Sequence, residues 1–325
     1  MNSKSLLKGD PTDWLLEPEN PSVRYFTLRD IFGHSEKDSE MEKAKEDIRT
    51  DSRVLRIFSK QKPEGNWEDA GQPYLPKYKG TYWQVMILSQ LGLEKSDERV
   101  RKACEFIFQF QLDEGGFSSF GKPWARQKIR EYEMSCLTGN VASSLIRLGY
   151  KSDERVMKAL EWLVEVQNKD GGWLCPYWKA HIKDKHSCFM GTITPLDAFS
   201  EIPNERMPSE TEDAIDKGVE FLLMHKLFEA DHHQFKVINK NWLNLSFPCF
   251  SYDILRGLSV VTKLGYTKDE RISDALEILL QKQDSDGRWI LERSPTPMHA
   301  TLEQKGRPSK WITLHALKVI KRVHI

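Results

Sequence analysis

The chain has 325 residues, 39% hydrophobic and 30% charged, with 48 Lys and Arg balanced by 48 Asp and Glu. Charge balance without a basic block leaves no electrostatic footprint for a polyanion, so nucleic acid is not expected as a partner. The longest stretch free of acidic and basic residues, Gly80 to Leu93, is 14 residues, short of the roughly 20 apolar residues of a spanning helix; no membrane span is expected. The N-terminal MNSKSLLKGDPTDW lacks the apolar core of a secretory signal, and five cysteines are a sparse, odd count, so the expected location is a reducing cytoplasm.

In chain order, Asn20 to Phe32 reads as a first apolar helix, and from Gln61 onward the sequence repeats itself. Gln61-Lys-Pro-Glu-Gly65-Asn-Trp67 returns as Gln111-Leu-Asp-Glu-Gly115-Gly-Phe117, Gln167-Asn-Lys-Asp-Gly171-Gly-Trp173 and Gln283-Asp-Ser-Asp-Gly287-Arg-Trp289. The starts lie 50, 56 and 116 residues apart. The last step spans two units, which puts a degenerate copy at His225. A second phrase, Leu-Gly followed by Asp-Glu-Arg-Val or Asp-Glu-Arg-Ile, recurs at Asp97, Asp153 and Asp269 in the same phase. Such a period fixes architecture more firmly than local propensity does.

Each unit reads as two helices. Val100, Ala103, Cys104, Ile107 and Phe108 fall at helical spacing, and Val156, Ala159, Leu160, Leu163 and Val164 repeat the pattern. Ser-Asp pairs before these helices supply N-cap chemistry, and the glycine after each Gln supplies a left-handed stop. Their partners, near 80–91, 134–148, 187–200, 249–264 and 309–322, are mostly apolar around the circumference and therefore inner. The fold class predicted is all-α, an α/α toroid of about six inner and five to six outer helices, as a single domain over 1–325.

The Gln-x-x-Asp/Glu-Gly-x-Trp/Phe phrase resembles the QW repeat of squalene–hopene cyclases and the related repeat of protein prenyltransferase β subunits, from about Arg53 to the C-terminus. The pattern is most similar to short, single-toroid prenyltransferase-like repeat proteins. The resemblance implies the toroid and leaves the activity open. A proton-initiated terpene cyclase needs an Asp-x-Asp-Asp cluster, and a diphosphate-binding one needs paired Asp-rich motifs for magnesium. The sequence has neither, and Asp213 and Asp216 read as a solvated outer face, so terpene cyclisation is set aside.

Loops after outer helices and starts of inner helices share one rim, where Cys136, Cys175 and His186 converge across repeats. Two sulfurs and an imidazole bind zinc at about 2.0–2.3 Å with one position open. The expected zinc ligands are Cys136, Cys175 and His186, with Cys188 a poorer choice because residues two apart on a helix do not face the same way. The set resembles the two cysteines and histidine of lantibiotic cyclases more than the Asp-x-Cys and His of the transferases, since Met134-Ser135-Cys136 lacks the Asp. The competing reading is that these are half-buried cysteines packing as small hydrophobes.

Asp253 is the candidate general base or partner of a metal ligand, against the plainer reading of a helix-start carboxylate. His225 and His232, in the irregular fourth repeat, are candidate acid/base groups or an additional metal ligand, against the plainer reading of surface histidines. Arg24 suits an anionic head or a charge pair with Asp253. Tyr82, Trp83, Tyr252, Lys310 and Trp311 are candidate substrate contacts, with core packing the alternative for the aromatic ones. The segment 294–309 reads as a lid or as a simple connection. The function expected is a zinc-dependent, hydrolase- or lyase-like enzyme acting on a small, hydrophobic or isoprenoid-like molecule through zinc-bound water or a polarised carbonyl. The alternatives are alkyl transfer to a thiol and a non-catalytic toroid that binds an isoprenoid or a protein.

Overall fold

The computed structural model describes residues 6–120, 134–175, 185–203, 207–230 and 234–324. The helices are α1 (Thr12–Leu15), α2 (Pro21–Phe26), α3 (Ser39–Thr50), α4 (Ser52–Phe58), α5 (Thr81–Gln90), α6 (Glu98–Phe108), α7 (Ser135–Leu145), α8 (Glu154–Glu165), α9 (Phe189–Phe199), α10 (Ser209–Met224), α11 (Ile254–Lys263), α12 (Ser273–Gln281) and α13 (Lys310–Val323). Wide-turn segments continue α2 over Thr27–Phe32 and α7 over Ile146–Tyr150. Two 3-10 turns, Lys240–Leu243 and Glu270–Ile272, and two short antiparallel pairs, β1 (Glu229–Ala230) with β2 (Lys236–Val237) and β3 (Trp289–Ile290) with β4 (Pro308–Ser309), complete the described elements. The fold is all-α, made of hairpins of the α/α-toroid class. Among the described residues no helix is long and apolar enough to cross a membrane.

Two compact units share these hairpins. Unit 1 takes residues 1–56, 223–295 and 300–325, and unit 2 takes 57–222 and 296–299. In unit 2 the inner helices α5, α7 and α9 are buried along nearly their whole length, whereas α6 and α8 each keep a wet face. Gly139 on α7 allows that helix its close approach to α9: a Cβ there would lie 2.4 Å from the backbone carbon of Thr194.

The repeated phrase is a bonding unit. Gln61, Gln111 and Gln167 each donate from Nε2 to two carbonyls, one four residues on and one in the following outer helix (Arg99, Arg155 and Ala214). Trp67, Trp173 and Trp289 each donate from the indole to the carbonyl ten residues earlier. The backbone N–H of the aromatic residue donates to a threonine hydroxyl on the next inner helix, at Thr81, Thr138, Thr192 and Thr313. These threonine latches are not visible as a sequence period. Asp97, Asp153 and Asp269 cap the next helical segment, and each also pairs with the Arg two positions later.

The fourth copy departs from the rule. At His225 the chain turns through Lys226 and Leu227, both left-handed without being glycine, and the His225 carbonyl accepts from Phe228 and Glu229.

Candidate functional site

In unit 2 the loop after α8 is anchored at Trp173, which is fully buried and tied to Leu163 and Thr192. Two residues on, this anchor delivers Cys175 to the N-terminus of α7. Its Sγ lies 3.6 Å from Cys136 Sγ and 3.5 Å from Ser135 Oγ. The backbone N–H groups of Ser135 and Cys136 also point at it. While both thiols are protonated, either can donate to the other. Once one proton leaves, the charge settles on Cys175, because hydrogen bonding from Cys136 and the free N–H groups of the helix start favour it there.

The two thiols are thereby driven apart. The Cys136 hydrogen bond, with the Ser135 contacts, outweighs burial and brings Cys175 down to about 6. Cys136 moves well above the ordinary thiol range, through its bond to Cys175 and through burial. Tyr74 stands close enough to feel both sulfurs; burial and their charge push its hydroxyl up. Its ring packs 5.0 Å from Trp83, whose indole donates to the Tyr74 carbonyl at 2.7 Å. Trp83 is 5% exposed and also meets Tyr78 edge-on at 5.1 Å. A low-lying thiolate, its thiol partner and an aromatic wall therefore occur in one place. Tyr82 turns away from this group and donates to Ser118 O at 2.9 Å.

His186 is not gathered with the two sulfurs. It is exposed, and Ser187 beside it is held to the Asp170 carboxylate by its N–H at 2.7 Å and its hydroxyl at 2.6 Å. Cys188 caps α9, its sulfur accepting from Gly191 N at 3.1 Å. Among the described residues no three His, Cys, Asp or Glu side chains come together as a metal site. Of the three expected zinc ligands, the described residues bring Cys136 and Cys175 together and offer no third donor to complete a zinc site there.

In unit 1, Asp253 is buried at the N-cap of α11. One oxygen accepts from Ser246 N at 2.9 Å and Ser246 Oγ at 2.5 Å, the other from Arg256 N at 2.9 Å. Burial raises its carboxyl against the pull of those bonds and of Arg293. Tyr252 donates its hydroxyl to Leu227 O at 2.6 Å, and burial holds that hydroxyl far up. Arg24 pairs with Glu40 at 3.5 Å and donates to Leu16 O at 2.8 Å; the charge pair with Asp253 is replaced by these nearer partners. Lys310 reaches Glu17 at 2.7 Å. Trp311, 1% exposed, stacks on Phe247 at 4.3 Å and 11°. Its indole N–H has no hydrogen-bond partner among the described residues, unlike the three repeat tryptophans. His225 is half-buried in the left-handed turn, and His232 lies outside the described residues.

Residues 27–182 match the family model of the squalene–hopene cyclase C-terminal domain. A terpene cyclase/mutase, AtnI of Arthrinium sp., is 22% identical over 293 residues. That match covers 74% of this chain, and the chain spans 38% of the length of that relative. Among solved structures, the type II terpene cyclase MstE from Scytonema, as a variant in complex with geranylgeranyl dihydroxybenzoate, has a TM-score of 0.48 at 16% identity, over 94% of this chain and 86% of that one. A protein from Actinoplanes has a TM-score of 0.46 at 13% identity, over 96% and 90%.

Proposed function

For a chain that is squalene-cyclase-like in its repeats and in the family model matched over residues 27–182, we propose an enzyme that acts on a small, hydrophobic, isoprenoid-like molecule through the thiol pair Cys136 and Cys175. The observation that carries the reading is the 3.6 Å approach of the two sulfurs at the start of α7. Such a pair supplies a thiolate nucleophile at Cys175 and, beside it, a protonated thiol able to donate to a leaving group. Family likeness supplies the isoprenoid part of the proposal, and the reaction rests on the sulfurs.

A proton-initiated cyclisation is less well supported. Asp253 has both oxygens engaged, one capping α11 and the other holding Ser246, and the Asp-x-Asp-Asp cluster is not in the sequence. The zinc reading keeps one supporting observation, the same two sulfurs, and requires a third donor that the described residues do not bring to them.

The test uses the purified full chain. Farnesol as a probe is titrated against the tryptophan fluorescence, and metal content is measured for the wild type and for Cys136→Ala and Cys175→Ala. Saturable quenching with no stoichiometric metal supports the thiol enzyme. Stoichiometric zinc lost in both variants moves the reading to a metal centre. Absence of saturable binding removes the isoprenoid part.

A further inference from the structure

Two thiols from different hairpins meet in unit 2. Cys136 stands in the first turn of α7 and Cys175 follows the loop after α8, 39 positions later, yet their sulfurs lie 3.6 Å apart. Both backbones are fixed. Cys136 belongs to a helix buried along nearly its whole length, and Cys175 is two residues beyond Trp173, whose N–H and indole are tied to Thr192 and Leu163. The other cysteines are engaged elsewhere: Cys104 is fully buried in α6, Cys188 caps α9, and Cys249 reaches Ser246 O at 4.0 Å.

A disulfide requires an S–S distance of about 2.05 Å. From a 3.6 Å contact the closure is small against the swing of a sulfur about its Cα–Cβ bond. Cys136 is half-buried, so the pair is within reach of a small oxidant. Ser135 Oγ, 3.5 Å from Cys175 Sγ, and the free N–H groups of the helix start favour an anion on that sulfur. An attacking sulfur and a resolving one, the two parts of a redox pair, are therefore both present.

We propose that Cys136 and Cys175 form a reversible dithiol–disulfide couple, oxidised by hydrogen peroxide and reduced by a small-molecule thiol. The Cys175 thiolate attacks one peroxide oxygen, the O–O bond breaks, and the departing hydroxide takes up a proton as water; the sulfur is left as a sulfenic acid. Cys136 then attacks that sulfur, the S–O bond breaks, and the hydroxide leaves as water with the Cys136 proton. Two thiols and one peroxide thus give one disulfide and two waters, with two electrons passing from sulfur to oxygen. Two molecules of a small thiol restore the dithiol by exchange and leave as their own disulfide. The bond ties the loop after α8 to the start of α7. The couple stands on the sulfur contact and not on the isoprenoid reading: loss of farnesol binding in the reduced protein would remove that reading and leave the couple intact.

The purified full chain is treated with hydrogen peroxide, alkylated with iodoacetamide, digested without reductant and mapped by mass spectrometry. A peptide pair joining Cys136 to Cys175 is expected, with both sites closed to alkylation and both reopened by dithiothreitol. In Cys136→Ser the reaction is expected to stop at a sulfenic acid on Cys175, trapped by dimedone, because the resolving sulfur is gone. Three results would overturn the proposal: both cysteines still alkylated after peroxide, Cys136 joined to Cys188 or to a second chain instead, or a Cys175 sulfenic acid that accumulates in the wild type without forming the link. The peptide map of the wild type decides among these by itself, so the test holds should the Ser variant fail to fold.

Discussion

Cys136 and Cys175 are the same chemical group in opposite electrostatic situations. Cys175 ends among hydrogen-bond donors at a helix start, and Cys136 is the donor that this anion needs. Iodoacetamide labelling of Cys175 is therefore expected to rise through a midpoint near pH 6. In Cys136→Ala the midpoint should move up toward the ordinary thiol value of about 8.5, read by mass spectrometry of the labelled peptide. An unchanged midpoint would mean that the Cys136 hydrogen bond does not set the thiolate. Asp253 calls for the opposite expectation. Because one oxygen caps α11 and the other holds Ser246, Asp253→Ala should cost about 2–3 kcal/mol in urea unfolding, from a lost cap and an unpaired buried hydroxyl. Asp253→Asn should lose less. A silent melting temperature in Asp253→Ala, with lost turnover, would restore Asp253 to the chemistry. Sequence reading reached the two sulfurs but placed His186 with them. Repeat period locates a residue at a rim without saying which way its loop is pulled, and Ser187 and Asp170 decide that for His186.

At the scale of the hairpin the sequence is far more informative. Gln, Gly and Trp recur because each has a fixed partner in the backbone, and backbone partners repeat with the period. The inner helices foreseen at 80–91, 187–200 and 309–322 appear as α5, α9 and α13. The helix foreseen at 249–264 starts later, at Ile254, because Asp253 caps it there. The threonine latches leave no periodic mark in the sequence, since Thr81, Thr138, Thr192 and Thr313 sit at differing distances from their aromatic residues along the chain. Gly115 is the sharpest test of the hairpin joint. Its φ is 118°, and an added Cβ would stand 2.4 Å from the Lys158 carbonyl oxygen. Gly115→Ala should cost about 3 kcal/mol or more, as strain and displacement of α8 combine. Gln111→Ala, which removes only the side-chain bonds to Gly115 O and Arg155 O, should cost about 1–3 kcal/mol. Calorimetric melting of both variants orders the two effects, and an equal loss would contradict the steric argument.

At the scale of the whole chain, unit 1 binds the first residues to the last. Gln283 departs from the other three repeat glutamines: its Nε2 donates to Leu6 O while Lys8 N donates to its side-chain oxygen. Lys310 reaches Glu17, and Lys318 reaches Asp30 at 2.6 Å. The Asp30–Lys318 pair is the most exacting of them. Burial alone would raise the Asp30 carboxyl, but the charges of Lys318 and Arg29 outweigh it and hold it well below the usual carboxylate range. Burial in turn lowers the Lys318 ammonium against the pull of Asp30. A carboxyl lowered in the folded state binds fewer protons there than in the unfolded chain. Its stabilisation is therefore complete above an unfolded value of about 3.9 and is lost as the pH falls through the lowered folded value. Asp30→Asn should cost about 3 kcal/mol at pH 7, mainly by leaving Lys318 charged and unpaired. Adding Lys318→Met should return most of that loss, since the orphaned charge goes with it. The gap between wild type and Asp30→Asn should narrow below pH 3.5 in urea titrations. If the gap stays constant with pH, or if the double variant is no more stable than the single one, the chain ends are joined by packing and the ion pair is incidental.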